Sequence, residues 1–191
     1  MTTASIGTER QSDQRNTWAD LVLYFFLYAV TGWVYEVFLE VVVYRWGFTN
    51  HGVLFGPYCP VYGVGALAFL LLVYPLIRGK DRKRRILMIP VVFLLCMLIA
   101  TAIELVTSYG LEYATGSWPW QTYADYDINF QARVALNPSS RFGLGGVLFL
   151  YVLQPAFEVI SRALGPKRVK AAAVLILIVF AADLAYTLLL R

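Results

Sequence analysis

The sequence predicts an all-α fold: a polytopic membrane helix bundle with five transmembrane helices and a broken, re-entrant glycine-proline segment after the first. Three observations carry this. Of 191 residues, 59% are hydrophobic and only 15% charged, against about 25% charged in ordinary soluble domains. Several apolar runs reach the roughly 20 residues that a bilayer-crossing helix needs. The basic residues collect between those runs, in Arg78-Gly79-Lys80-Asp81-Arg82-Lys83-Arg84-Arg85 and in Lys167-Arg168-Val169-Lys170, as they do in cytoplasmic loops. The net charge of +4 therefore reads as topology, and no nucleic-acid partner is expected.

Residues 1–17 are polar and read as a disordered cytoplasmic tail ahead of a single transmembrane domain over 18–191. No cleavable leader is expected, because the first apolar run is long and lacks a small-residue cleavage site. The first helix is predicted over about 18–46, with Trp18, Tyr44 and Trp46 as interfacial anchors. Gly32, Glu36 and Glu40 recur every fourth residue and share one face. The stretch Asn50-His51-Gly52-Val53-Leu54-Phe55-Gly56-Pro57-Tyr58-Cys59-Pro60-Val61-Tyr62-Gly63 follows. Pro57 and Pro60 each remove a backbone donor, so no undisturbed helix passes through it. It is nevertheless half apolar, which points to irregular backbone lining a cavity beside membrane helices. The plainer alternative is a tight extracytoplasmic turn.

A second helix is predicted over about 60–77, and the basic stretch after it places that loop, and the N-terminus, in the cytoplasm. Binding of lipid headgroups is the minor alternative for these cations. The third helix is predicted over about 86–116, where Thr101, Glu104, Ser108, Glu112 and Thr115 make one polar stripe. Residues 117–140 are aromatic and polar, an extracytoplasmic loop packed on the membrane surface. The fourth helix is predicted over about 141–164 with a kink at Gln154-Pro155, and the fifth over about 171–190, carrying Asp183. The C-terminus is thus expected outside the cell (inner or plasma) membrane.

Ionisable groups inside spans are costly and by default mark a pathway or a site. At 1.5 Å of rise per residue, Glu36 lies about 22 Å, Glu40 about 28 Å, Glu104 about 27 Å and Asp183 about 20 Å along its helix from the cytoplasmic side. All point toward one outward-facing chamber, where carboxylates need either protonation or compensating cations. Arg133 and His51 are the expected fixed partners, with Arg141 a weaker one. The plainer readings are a headgroup-level residue for Glu40, helix-to-helix hydrogen bonds for Glu36 and Glu104, and a structural role for Asp183. Cys59 and Cys96 fit no metal-ligand or disulfide pattern and read as buried thiols, and no metal or cofactor is expected.

Gly32-Trp33-Val34-Tyr35-Glu36, the Asn50–Gly63 stretch, Glu104-Leu105-Val106-Thr107-Ser108-Tyr109-Gly110-Leu111-Glu112, Trp120 and Asn129-Phe130-Gln131-Ala132-Arg133 together resemble the family called "putative ABC-transporter type IV" permeases. The resemblance covers about residues 24–155. The family usually shows Asn-Arg-Gly at Asn50-His51-Gly52 and Gly-Arg at Ala132-Arg133, and its Trp-Asp-Tyr block is blurred around Asp125. Residues and resemblance together give a candidate substrate-contacting set: Glu36, Asn50, His51, Gly52, Gly56, Pro57, Pro60, Tyr62, Glu104, Ser108, Glu112, Trp120, Asn129 and Arg133.

The resemblance implies a permease subunit. The chain holds no GxxxxGK[ST] phosphate loop, so ATP-driven transport would require a separate ATPase subunit, although the short cytoplasmic loops offer it little surface. A homo-oligomer is the other expected assembly. Two further functions fit the same residues. One is a membrane enzyme acting on a lipid or lipid-linked substrate at the outer leaflet, with Glu36 or Glu104 as general acid or base; no nucleophile motif supports it. The other is a structural or assembly protein whose polar groups only hold helices together.

Overall fold

The computed structural model describes residues 17–43, 45, 47–48, 50 and 54–190. The tail expected over 1–17 lies outside this range except for Thr17, and so do His51, Gly52, Tyr44 and Trp46. The described residues fall into two compact units, one within Met1–Val64 and Ala156–Arg191, the other within Gly65–Pro155.

In the first unit, α1 (Thr17–Phe38) runs into a π turn at Leu39–Val43. Glu40 is buried within that turn. The chain then bends at Arg45 and Gly47, both at positive φ. α2 (Pro60–Leu72) begins in this unit. The partner of α1 is the long C-terminal helix α6 (Gln154–Leu190). Ala19 and Leu23 of α1 pack on Val169, Ala173 and Ile176, small and branched side chains that let the two helices approach closely. Further along, Ala29 packs with Leu54 and Tyr58, and the Tyr58 ring stacks on Phe180 at 4.4 Å between centroids. Tyr28 is fully buried and meets Phe157 edge-on at 4.9 Å.

The second unit holds the rest of α2 and a 3-10 turn at Tyr74–Leu76, then α3 (Arg82–Leu87) and α4 (Ile89–Thr115). A 3-10 turn at Gln121–Asp125 leads to the only two strands among the described residues, β1 (Asn129–Phe130) and β2 (Val134–Ala135). α5 (Leu136–Leu148) and a second π turn at Phe149–Leu153 complete it. The sequence predicts one helix over 86–116; the chain instead divides at Met88. Pro90 lacks an N–H and fits only the first turn of α4, while Asp81 caps α3 by accepting from the Arg84 N–H at 3.2 Å. α4 and α5 pack where Gly143 and Gly146 meet Phe93 and Cys96, and the Thr101 hydroxyl donates to Ser139 at 2.8 Å.

α6 (Gln154–Leu190) follows directly. Pro155 clashes with the carbonyl four residues back in a regular helix, and the π turn ahead of it supplies the extra width. The clear break comes later, at Gly165 (φ 75°, ψ 162°). There a glycine closes one helical stretch and Pro166 opens the next, so the basic residues 167–170 are helical rather than a loop.

Three helical stretches are long and apolar enough to cross a membrane: Thr17–Val43, Ile89–Thr115 and Leu136–Leu189; Pro60–Leu76 is a shorter apolar helix. The last of the three has 54 residues, roughly 80 Å of helix, over twice the ~30 Å hydrocarbon thickness. Gly165 divides it. Leu94, Leu98 and Val106 on α4 and Leu175 and Ile178 on α6 are exposed. Apolar faces of that extent are a liability in water and normal against lipid.

Candidate functional site

Both units carry a polar cluster, and each is built from blocks that the sequence singles out. In the first unit, the α1 face bearing Gly32, Trp33 and Glu36 meets the glycine-proline segment. The Trp33 indole N–H donates to the Asn50 side-chain oxygen at 2.8 Å, and the Asn50 amide donates in turn to the Phe55 carbonyl at 2.9 Å. The Tyr62 hydroxyl donates to Glu36. Gly32 is what makes room: a Cβ there would lie 2.2 Å from Tyr62 Cγ, so any side chain would push the ring off Glu36. The Cys59 N–H donates to the Ala29 carbonyl at 2.9 Å, tying the end of the segment to α1.

The middle of the segment is held by Asp183 from α6. Its two carboxylate oxygens accept from the Phe55 N–H and the Gly56 N–H, each at 2.9 Å, and from the Tyr58 hydroxyl. Successive backbone N–H groups form a small concavity suited to an anion, and here the anion is a side chain of the same chain. Gly56 is required for this, since a Cβ would sit 2.1 Å from the Tyr58 ring. Burial, then the neighbouring Asp183 carboxylate, hold the Tyr58 phenol well above its ordinary range.

In the second unit the centre is Arg133. The tight turn between β1 and β2 has Gln131 and Ala132 at φ 53° and 55° and closes with the Arg133 N–H donating to the Phe130 carbonyl at 3.0 Å. Aromatic residues grip the hairpin. The Trp118 indole donates to the Ala132 carbonyl at 3.1 Å, the Trp120 indole to the Arg133 carbonyl at 2.8 Å, and the Tyr109 hydroxyl to the Gln131 side chain at 2.7 Å. The guanidinium so positioned lies 4.0 Å from the ring centres of both Tyr109 and Trp118, pairs with Glu112, and reaches Ser108 at 3.4 Å. Only 6% of Arg133 is exposed, so rings and carboxylate replace its hydration.

Glu104 lies one helical step below Ser108 on the same face of α4. One of its oxygens accepts from the Tyr123 hydroxyl at 2.9 Å. Burial, then the Glu104 charge, raise the Tyr123 phenol far above its usual range. The other Glu104 oxygen and the Arg133 Nε are buried with no hydrogen-bond partner among the described residues. Buried polar atoms are nearly always satisfied in proteins, so these two are the atoms here with capacity for a ligand or water.

Set against the expected residues, Glu36, Asn50, Gly56, Pro57, Pro60 and Tyr62 fall together in the first unit. Glu104, Ser108, Glu112, Trp120, Asn129 and Arg133 fall together in the second. Asn129 accepts from the Ala132 N–H at 3.1 Å and donates to the Tyr126 carbonyl at 2.8 Å, shaping the hairpin. His51 and Gly52 lie outside the described residues. Trp33, Tyr58, Tyr109, Trp118 and Tyr123 are partners that sequence reasoning did not assign. The signal for Asp183 was present: an acid alone in an apolar helix must find its donors on another segment.

A family model described as "Putative ABC-transporter type IV" matches residues 23–188. Neither a curated protein nor a solved structure matches the chain.

Proposed function

The chain belongs to this family, and from that membership we propose that it is the membrane permease component of a transporter, with the polar groups inside its spans contacting the substrate. In this reading the chain crosses the cell membrane five times. Its N-terminus is cytoplasmic and its C-terminus extracytoplasmic, as supported by two basic stretches separated by an even number of crossings. A separate ATPase subunit supplies the energy, and the five-span chain works as part of an oligomer.

The observation that carries the proposal is the combination of family membership over 23–188 with carboxylates set inside apolar helices beside glycine- and proline-broken backbone, an arrangement that transporters use for substrate sites. Glu36 in the first unit and Glu104 in the second are each proposed as substrate-facing acids, and Arg133 beside Glu104 as the proposed contact for an anionic group. The orphaned Glu104 oxygen and Arg133 Nε support those two roles. Metabolite profiles of cells and medium test this in a deletion strain complemented with wild type or Glu104→Gln. The same compounds should be misdistributed in the deletion and the variant, with the variant chain present at normal level in the membrane. A variant profile identical to wild type would reject the role given to Glu104.

A further inference from the structure

The basic stretch before α4 does more than mark a side of the membrane. Lys80, Arg82, Arg85, Ile86 and Tyr151 line an open cavity of about 400 Å³, within the ~300–1,000 Å³ range of small-ligand sites. Its cations are uncompensated: no described acid pairs with Lys80, Arg82 or Arg85, and nearby Asp81 is occupied with Arg84, at 3.4 Å from its guanidinium and 3.2 Å from its N–H. Arg85 is held in place from both ends. Its carbonyl accepts from the Tyr151 hydroxyl at 2.6 Å, and its guanidinium lies 5.4 Å from the centre of the Tyr151 ring. Tyr151 is the middle residue of the Phe149–Leu153 π turn, a local widening often found at functional positions.

We propose that this cavity binds the phosphate of an anionic phospholipid headgroup. Three cationic residues, Lys80, Arg82 and Arg85, line the cavity and can pair with a phosphodiester. The remaining wall, Ile86 and the Tyr151 ring, is apolar, and Ile86 lies just ahead of α4, the most apolar of the candidate spans. A headgroup entering here leaves its acyl chains against exposed Ile86 and Leu87. A free phosphate uses the cations but gains nothing from the apolar wall, and that difference separates the two sources. The site stands apart from the proposed substrate path and does not depend on the transporter reading.

The test is a lipid titration of the full-length protein in detergent, read by native mass spectrometry, with phosphatidylglycerol, phosphatidylcholine and inorganic phosphate in separate arms. One phosphatidylglycerol should bind with saturation, at least tenfold tighter than phosphatidylcholine, and excess inorganic phosphate should displace it poorly. Lys80→Gln/Arg82→Gln/Arg85→Gln should weaken that binding at least tenfold. Arg78→Gln/Lys83→Gln/Arg168→Gln, which removes equal charge outside the cavity, should leave it within twofold. Tyr151→Leu, with every charge kept, should weaken it severalfold, and this arm stands if the triple variant does not fold. Equal losses in the two triple variants, an unaffected Tyr151→Leu, or ready displacement by inorganic phosphate would each overturn the proposal.

Discussion

A carboxylate in an apolar helix has to find donors within reach, and Asp183 finds three on a segment more than a hundred residues away in the chain. Hydrogen bonds to a charged group are worth about 1.5–3 kcal/mol each when sheltered. Asp183 is only partly buried, so Asp183→Asn is expected to cost only about 1–2 kcal/mol. Tyr58→Phe should cost less, and the double variant should fall short of the sum by roughly 0.5–1 kcal/mol, because both lose one shared bond. Thermal unfolding in detergent of the four proteins measures this; strict additivity would mean that Asp183 and Tyr58 do not act together. Gly32→Ala addresses the neighbouring contact. The added methyl meets the base of the Tyr62 ring, which cannot swing clear as a flexible tip would, so about 1–3 kcal/mol should be lost. Tyr62→Ala should make that same substitution nearly neutral.

Among the elements, the β1–β2 hairpin is the one whose sequence works against its geometry. Ala132 holds φ 55°, a conformation that costs a non-glycine residue roughly 1–2 kcal/mol, at the position where the resembling family usually has glycine. Ala132→Gly should therefore raise stability by about 0.5–1 kcal/mol after the entropy cost of glycine, read as a higher unfolding temperature; a lower one would contradict the strain. The 3-10 turn at Gln121–Asp125 gives a pH signature. The folded phenol of Tyr123 titrates above its unfolded value near 10, so the folded state holds its proton longer. Its stabilisation is complete below pH ~10 and is lost as pH rises through the folded value. Unfolding temperature should be level from pH 7 to 9 and fall beyond, and Tyr123→Phe should flatten that fall. An identical alkaline slope in wild type and variant would rule this origin out.

For the whole chain, what could be read in advance tracks the length scale of the physics. Helices were legible because hydropathy is a local sum: the long apolar runs correspond to α1, α2, α4 and the stretch divided at Gly165. Their ends were not. The division at Met88 depends on Pro90, and the absorption of Pro155 into a π turn depends on a backbone adjustment that composition does not encode. The polar residues were legible as types, since Glu36, Glu104 and Arg133 stand out in apolar surroundings. Most of their aromatic partners were not, because Trp33, Tyr58, Tyr123 and Trp118 look like ordinary interfacial aromatics until the chain is folded. Each aromatic donor meets an acid, an amide or a carbonyl through a tertiary contact that no helical period specifies.

The proposal rests on Glu36 and Glu104 each facing water rather than lipid. Cysteine scanning in intact membranes measures this directly: Glu36→Cys, Glu104→Cys and the lipid-facing control Leu98→Cys, in a background with Cys59 and Cys96 replaced, are treated with a small water-soluble thiol reagent. The account predicts rapid modification at 36 and 104 and none at 98. Equal protection at all three positions would contradict it.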